Sequence, residues 1–317
     1  MRIILYTMFV LFSCNNIFGQ DSDIDSLKCW LNYISSDELK GRQNGTKELN
    51  KVQDWIVSKY SNYGLIPFDK LNSFTQSFNY RTYQDSNVLK NIIGYYPGIT
   101  KDTFIILSAH IDHIGMDKYN KNDSVYNGAD DDGSGVVTLL GIAKKIHEQK
   151  RKFNYSIVFV IYSGEEIGLV GSEYFCKSKI LPFDKVKLNM NFELVGRSLQ
   201  FGKYKYYITG PSNSDLIDCL NQYNKGQHWK IQDIGYEAEY LYKMADNYSI
   251  VRYVNDSVIH VPAHTFATST GEGYIHQTND EIKYIDFDNL ASFVNYSTDL
   301  IYYISNNNIR INYKLKK

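Results

Sequence analysis

The chain has 317 residues, 43% hydrophobic and 22% charged, a composition ordinary for a globular protein of one large domain or two small ones. Its formal net charge of −1 gives no electrostatic reason to expect nucleic acid or an anionic membrane as a partner. At this length about three quarters of the surface of the unfolded chain can be buried, so neither disulfides nor metals are needed to hold a core.

The first residues have the pattern of an export signal. Arg2 is followed by an apolar stretch at residues 3–12 and then by small and polar residues beyond Gly19. This pattern is typical of a cleaved signal peptide, and the apolar stretch is shorter than the ~20 residues that span a bilayer. We predict that residues 1–19 are removed and that the protein is periplasmic or extracellular. Lipid attachment at Cys14 is the second choice, because the phenylalanine beside it fits a lipidation signal poorly.

The remaining cysteines, Cys29, Cys176 and Cys219, are scattered. They form neither a disulfide framework nor a Cys-x-x-Cys metal site, although one disulfide stays open in an oxidising compartment. No repeat or linker-like tract interrupts the sequence, so residues 20–317 are predicted to form a single domain.

Helical and strand-like patterns alternate along this domain. A helix is expected near residues 24–36 and another over 47–63, where apolar residues recur at helical spacing before Gly64. The predicted strands lie at residues 91–96, 103–109, 156–162, 186–192, 204–208 and 257–266, and further helices at 135–149, 214–223 and 286–304. Apolar strands that alternate with amphipathic helices predict an α/β fold, a three-layer α/β/α sandwich around a mixed, mostly parallel sheet.

The polar motifs fall where these strands end, which is where such folds bind ligands. His110 and Asp112 close the strand at 103–109. Residues two apart in a strand point the same way, so the carboxylate can support the imidazole and fix its tautomer for metal binding. A single histidine at a strand end is more often structural than a ligand.

Three consecutive aspartates, Asp130, Asp131 and Asp132, precede the helix at 135–149. Their mutual repulsion would be relieved by a hard cation or by the positive end of a helix dipole. A helix cap can explain Asp132 fully. For Asp130 and Asp131, metal ligand and polar turn are equally good explanations.

Two adjacent acids, Glu165 and Glu166, follow the strand at 156–162, Glu193 ends the next strand, and His276 follows the last one. Adjacent side chains at a strand end diverge, so one acid can bind a metal while the other acts as a base. Each motif alone also fits a polar loop. Together they offer imidazole and carboxylate ligands without cysteine, which suits catalytic zinc.

In this order the motifs resemble those of the co-catalytic dizinc aminopeptidases, the metallopeptidase family that includes secreted bacterial leucine aminopeptidases and glutamate carboxypeptidase II. The resemblance begins with Asp-Glu-Leu-Lys-Gly-Arg at residues 37–42, continues through Tyr-Gly-Leu at 63–65 and Asn-Ile-Ile-Gly at 91–94, and ends near His276. The set His-x-Asp, Gly-Ala-Asp-Asp, Gly-Glu-Glu and a late histidine is specific as a combination.

The resemblance implies a zinc-peptidase fold with two Zn²⁺ ions bridged by Asp131. His110 and Glu193 would complete one metal site, and Glu166 and His276 the other. The implied substrate is a peptide or small protein with a free N-terminus. The enzyme is expected to act as a monomer, with no nucleic acid and no stable membrane span.

The resemblance further implies that Glu165 is the general base, that Asp112 supports the site, and that the Asp131–Asp132 peptide bond is cis. In the implied reaction two metal ions would lower the pKa of a shared water and polarise the scissile carbonyl. Glu165 would take the proton of that water and pass it to the leaving amine.

Three positions depart from the family pattern. Glu193 stands where the family usually has aspartate, so its carboxylate reaches from a different backbone distance. The tyrosine that commonly precedes the late histidine is displaced to Tyr274 by Ile275, which leaves the oxyanion role unassigned. Asn247 stands where histidine is common, so Asp246 is expected only to support the site.

Two alternatives stay open. A glutaminyl cyclase, a single-zinc transferase on a related scaffold, would differ in metal stoichiometry and would form pyroglutamate, but the His-x-Asp ligand argues against it. A non-catalytic binding protein is the other, since relatives such as transferrin receptor have lost the metals. Here all five ligand positions and the base keep competent side chains.

Overall fold

The computed structural model describes residues 17–314 apart from residues 69, 82–85, 118 and 120–122. Residues 1–16, which contain Cys14 and most of the predicted signal peptide, lie outside the described residues. Helix α1 spans Ile17–Ile34, so it begins earlier than the predicted start near residue 24.

The described strands form one mixed, nine-stranded sheet. They are β1 (Ile66–Pro67), β2 (Thr75–Arg81), β3 (Ser86–Tyr96), β4 (Thr100–His110), β5 (Tyr155–Tyr162), β6 (Val186–Phe192), β7 (Lys205–Ile208), β8 (Lys230–Ile231) and β9 (Ala263–Ala267). Their order is β1-β3-β5-β4-β6-β9-β7-β8, and β2 pairs with β3. The central strands β5, β4, β6 and β9 run parallel, whereas β3 and β7 join them antiparallel. The predicted mixed sheet is confirmed, with parallel pairing at its centre.

Helices cover both faces of this sheet. After α1 they are α2 (Lys47–Asn62), α3 (Gly135–Gln149), α4 (Val170–Lys177), α5 (Leu216–Tyr223), α6 (Tyr236–Leu241), α7 (Asn247–Tyr253) and α8 (Phe287–Asn306). In the described part of the chain, no helix combines the length and the apolar character that crossing a bilayer requires.

Strand β5 shows why three layers form. Its residues are all buried, and they alternate between two apolar cores. Phe159 and Ile161 pack into the core beneath α1, α2, α3 and α8, while Val158 and Val160 pack into the core beneath α4 and α7. Since successive side chains of a strand point to opposite faces, a continuous apolar strand needs cover on both sides. The predicted α/β/α arrangement is confirmed.

The structure corrects one detail of the sequence prediction and decides one question that the sequence left open. The last predicted strand was placed at residues 257–266, but β9 begins at Ala263. The carboxylate of Asp256 accepts the backbone N–H groups of Val258 and Ile259, and this local turn holds the preceding apolar residues out of the sheet. The disulfide left open is not formed, because the described cysteines are free thiols, namely Cys29, Cys176 and Cys219.

Candidate metal centre

The predicted site residues meet at the carboxyl ends of the central parallel strands. His110 is the last residue of β4, Glu165 and Glu166 follow β5, and Glu193 follows β6. Neighbouring parallel strands end at the same edge of a sheet, so their side chains converge there. Asp131 lies in the turn before α3 and reaches the same place.

His110 and Asp131 form the buried floor of the site. The ring of His110 is fully buried, and its Nε2 lies 3.3 Å from Oδ1 of Asp131 and 4.0 Å from Oε2 of Glu165. Neither Nε2 of His110 nor Oδ2 of Asp131 has a hydrogen-bond partner among the described residues, although both atoms are buried. Buried polar atoms without partners are costly. Cations bound on the two sides of the Asp131 carboxylate would remove that cost, so the donor set fits zinc.

His276 approaches the other oxygen of the same aspartate. Its Nε2 lies 3.5 Å from Oδ2 of Asp131 and 2.8 Å from Oε2 of Glu166. The carboxylate of Asp131 therefore stands between two imidazoles, with one oxygen toward each. This placement is the one a bridging ligand requires, and the bridging role itself stays a prediction.

Glu193 and Glu165 line one pocket together with Asp131. Burial, with the charge of Asp131 adding to it, raises the pKa of Glu193 to about 8. Burial and the nearby Glu193 likewise raise the pKa of Glu165 well above its usual range. Carboxylates this crowded hold protons unless positive charge is supplied. A bound cation would supply it, which is a second reason the donor set fits a metal.

Asp112 has a wider role than the predicted support of His110. Nδ1 of His110 lies 3.2 Å from the backbone carbonyl oxygen of Asp112 and 3.9 Å from its carboxylate. That carboxylate accepts the backbone N–H groups of Glu165 and Glu166, each at 3.2 Å, and the side-chain amide of Asn44 at 2.6 Å. Asp112 therefore holds in place the loop that carries both glutamates.

The three successive aspartates have separate partners. Asp132 accepts the backbone N–H of His110 at 3.1 Å and that of Gly135, the first residue of α3, at 3.0 Å. Asp130 accepts the N–H of Gly196 and the hydroxyl of Tyr274, both at 2.6 Å. Of the three, Asp131 is the one that faces the histidines. The Asp131–Asp132 peptide bond is cis, as the family resemblance implied.

The hydrogen bond between Tyr274 and Asp130 bears on the departures from the family pattern. The hydroxyl of Tyr274 is occupied by Asp130 and by Ser269, at 2.8 Å, so it is not directed at the reacting centre. Asp246 is fully buried, and burial raises the pKa of its carboxyl to about 6. Neither residue has a predicted ligand role.

Asp280 and Arg42 organise the site but were not predicted from the sequence. Asp280 accepts the backbone N–H groups of Asp130 at 3.0 Å and Asp131 at 2.9 Å, which ties the loop of His276 to the aspartate turn. Arg42 is fully buried and donates to backbone carbonyls. Its acceptors are the carbonyl oxygens of Ile34, Ile111, Asn127, Gly128 and Asp131. Partners this far apart in sequence have no spacing rule that would reveal them.

His113 is a further residue that the sequence reasoning did not assign. It stands next to Asp112 in the first motif, but strand alternation places only His110 and Asp112 on the same face. The side chain is buried, and its Nδ1 lies 2.8 Å from Oε1 of Glu166 and 3.8 Å from Oδ2 of Asp131. His113, Asp131, Glu166 and His276 each present a possible ligand atom, and these four atoms lie within 4.8 Å of one another.

A match to peptidase family M28 covers residues 91–301, more than half of the chain, and the chain belongs to this family. Leucine aminopeptidase 1 of Aspergillus fumigatus is 28% identical over 216 residues, covering 63% of this chain and 52% of that protein. Leucine aminopeptidase 1 of Fusarium vanettenii is 24% identical over 302 residues, covering 82% and 69%. The chain spans about half the length of the first of these relatives.

Solved structures show the same fold. The LapA aminopeptidase of Legionella pneumophila has a TM-score of 0.66 at 18% identity, covering 96% of this chain and 77% of that one. A glutaminyl cyclase of Porphyromonas gingivalis has a TM-score of 0.68 at 19% identity, covering 88% and 97%. At such identities the likeness concerns the fold alone and does not choose between the two activities.

Proposed function

We propose that this chain is a metal-dependent aminopeptidase that binds two zinc ions. Asp131 would bridge them, with His110 and Glu193 on one ion and Glu166 and His276 on the other. The observation that carries the proposal is the position of the Asp131 carboxylate between two imidazoles at the mouth of a pocket. Membership of a peptidase family supports the same conclusion.

Glu165 is suited to the role of general base. Its carboxylate lies 4.0 Å from Nε2 of His110, and burial raises its pKa well above the usual range. A carboxylate whose pKa is raised is a stronger base than an exposed one, so it can accept a proton from water and then release it to a leaving amine. When bound, zinc would lower the pKa of the attacking water and polarise the scissile carbonyl. Asp112 fixes the backbone of Glu165, so the carboxylate is held ready for that transfer.

The pocket beside Glu165 indicates the substrate class. It has a volume of about 150 Å³ and is walled mainly by apolar side chains, including those of Leu194, Tyr207, Leu241 and Met244. Apolar walls favour an apolar side chain on the residue being released. We therefore propose a preference for peptides whose free N-terminal residue is apolar.

A panel of aminoacyl anilides tests this function on the purified full chain. Zinc-loaded protein is expected to cleave leucyl anilide, to leave its N-acetylated counterpart intact, and to lose activity on chelation until zinc is restored. Conversion of glutaminyl peptides to pyroglutamate, with a single bound zinc, would instead support the glutaminyl cyclase alternative. Metal binding without turnover of either substrate would support the binding-protein alternative.

The variant Glu165→Gln separates metal binding from catalysis. It keeps the shape of the side chain but cannot accept a proton, so turnover should fall by about 10²–10⁴-fold while metal content is retained. Glu148→Gln is the matched control, because Glu148 is an exposed residue of α3 and the same substitution there should leave turnover unchanged. Full activity in Glu165→Gln would show that the base is another group.

Export and oligomeric state belong to the same proposal. We propose that residues 1–19 direct export and that the mature enzyme is soluble and monomeric. Mass spectrometry of protein secreted from a bacterial host should give an N-terminus at Gln20. An N-terminus at a lipid-modified Cys14 would replace this proposal with membrane anchoring, and the mass in solution by light scattering tests the monomer.

A further inference from the structure

His113 faces the same pair of carboxylates as the predicted ligand His276. Nε2 of His276 lies 2.8 Å from Glu166 and 3.5 Å from Asp131. Nδ1 of His113 lies 2.8 Å from the other oxygen of Glu166 and 3.8 Å from Asp131. The two rings are 5.7 Å apart between centroids. The two imidazoles thus approach one space, bounded by Glu166 and Asp131, from two sides.

The contact with Asp131 is not a hydrogen bond. At 3.8 Å, Nδ1 of His113 is too far from Oδ2 for one, and that oxygen is buried without a hydrogen-bond partner among the described residues. Ligand atoms about 2.0–2.2 Å from one zinc ion are separated from each other by roughly 3–4 Å. The spacing of Nδ1 and Oδ2 therefore suits two atoms that share a cation.

The surroundings of His113 hold its ring toward this space. The backbone N–H of His113 donates to the carbonyl of Arg42, and Gly128 lies so close that an added Cβ would stand 2.7 Å from Cδ2 of the ring. Nε2 of the ring has no hydrogen-bond partner within the described ranges. The polar contacts of this imidazole therefore run through Nδ1, to Glu166 and Asp131.

We propose that His113 is a fourth protein ligand of the metal ion held by Asp131, Glu166 and His276. The inference rests on the proposed function and adds a ligand to it. The two metal positions then differ in kind. The position of His110 and Glu193 has three protein ligands with Asp131 and keeps a coordination position free for water or substrate. The metal position of His113 has four protein ligands. It therefore resembles a structural zinc site, in which protein side chains fill all four coordination positions.

Cobalt provides a direct test, because its absorption reports the ligands bound to it. Full-length protein, freed of metal, is titrated with Co²⁺ as wild type and as His113→Ala, His113→Asn and His113→Cys. Wild type should bind two ions, one more tightly. His113→Ala should weaken the tighter step by at least about 100-fold. In His113→Cys a thiolate bound to cobalt should give a charge-transfer band in the near ultraviolet that wild type lacks.

His113→Asn distinguishes a ligand from a hydrogen-bond donor. The asparagine amide can donate to Glu166 from the position of Nδ1, but its nitrogen has no lone pair for a metal and its carbonyl oxygen is a weaker ligand than imidazole for zinc or cobalt. We expect it to bind as weakly as His113→Ala; recovery of wild-type affinity would overturn the proposal and leave His113 as a donor that positions Glu166. Circular dichroism of each metal-free variant checks that the fold is kept.

Controls separate this inference from the proposed function. His228 is exposed and remote from the described ligands in the sequence, so His228→Cys and His228→Asn should keep wild-type affinities and show no new band. If wild type and every His113 variant bind two ions with the same affinities, and His113→Cys shows no new band, the ligand role of His113 is refuted. The proposed function is not refuted by that result. A wild-type chain that binds no cobalt and no zinc would refute the metallopeptidase proposal itself.

Discussion

Two histidines, on strands of the sheet that are separated by β6, are equally buried but differ in their surroundings. His110 ends β4, and His264 lies in β9; neither ring is exposed. In each, Nδ1 faces a backbone carbonyl oxygen, at 3.2 Å for His110 and at 2.8 Å for His264. Nε2 of His264 is 2.7 Å from the hydroxyl of Ser214, whereas Nε2 of His110 faces carboxylates without a hydrogen bond from the described residues.

This difference shows how a structural histidine is distinguished from a candidate ligand. Burial lowers the pKa of His264 to about 4, so the ring stays neutral with both nitrogens paired. Burial also acts to lower the pKa of His110, but the carboxylates of Glu165 and Asp131 raise that pKa well above its usual range. Position and burial do not separate the two residues. The partner of the second nitrogen does.

The largest expected effect comes from removing the unpaired nitrogen. His110→Ala takes away one of the three protein ligands proposed for its metal position, so we expect at least about a 100-fold loss of the proposed aminopeptidase activity and the loss of one bound zinc. Activity assays and elemental analysis measure both. His264→Ala is the matched control at the other buried ring: it should lower stability without removing a metal. If both variants lost the same amount of metal, the unpaired nitrogen would not distinguish a candidate ligand from a structural histidine.

The next effect is on the pH dependence of stability. The pKa of His264 is about 4 in the folded chain, against about 6.5 when unfolded, so the unfolded state binds the proton more readily. The stabilising contribution is therefore complete above pH 6.5 and is lost as the pH falls toward 4. We expect a loss of about 2.5 kcal/mol between pH 7 and pH 4.5 from this group.

Urea unfolding of metal-free protein at the two pH values measures this loss. His264→Gln cannot take up the proton, so the difference between wild type and variant isolates this histidine from the many carboxylates that also titrate. The same pH dependence in both proteins would mean that His264 is not held neutral by the fold.

The smallest effect comes from making His264 resemble His110. Ser214→Ala removes the hydroxyl next to Nε2 and should destabilise the chain by about 1–2 kcal/mol, because a buried polar atom loses its partner. Metal content should not change, since no carboxylate replaces the hydroxyl. Ser212→Ala, at an exposed position two residues earlier, is the control and should change the free energy of unfolding little. If Ser214→Ala gained a metal ion, a buried imidazole nitrogen without a hydrogen-bond partner would be sufficient for metal binding, even with no carboxylate beside it.

Much of the fold was predictable because the spacing of apolar residues within short stretches of sequence indicates which side chains are buried. The bounds of α3 and β6 were predicted as they are observed. The residues of α3 follow a continuous helical pattern of apolar positions, and those of β6 form a strand-like apolar run. The start of β9 was misplaced because the carboxylate of Asp256 accepts backbone N–H groups and sets a turn there, and hydrophobicity does not record such hydrogen bonds.

The candidate site was predictable where its residues follow apolar strands or lie in the motifs that carry the family resemblance. His110, Glu165 and Glu193 follow apolar runs, so pattern and family resemblance together pointed to them. Asp280 reaches the turn of Asp131 across 149 residues, a contact that no local pattern encodes. His113 escaped notice for another reason. Regular alternation assigns it to the face opposite Asp112, but the chain leaves the strand after His110 and its side chain turns toward Glu166.

Arg42 has a consequence for where the working unit of this chain begins. The match to peptidase family M28 covers residues 91–301, yet the guanidinium that donates to the aspartate turn lies before residue 91, as does Asn44. A fragment cut to residues 91–301 would lack Arg42, so several buried carbonyl oxygens would have no hydrogen-bond donor. The matched segment is thus smaller than the part of the chain that must be made to obtain an intact centre.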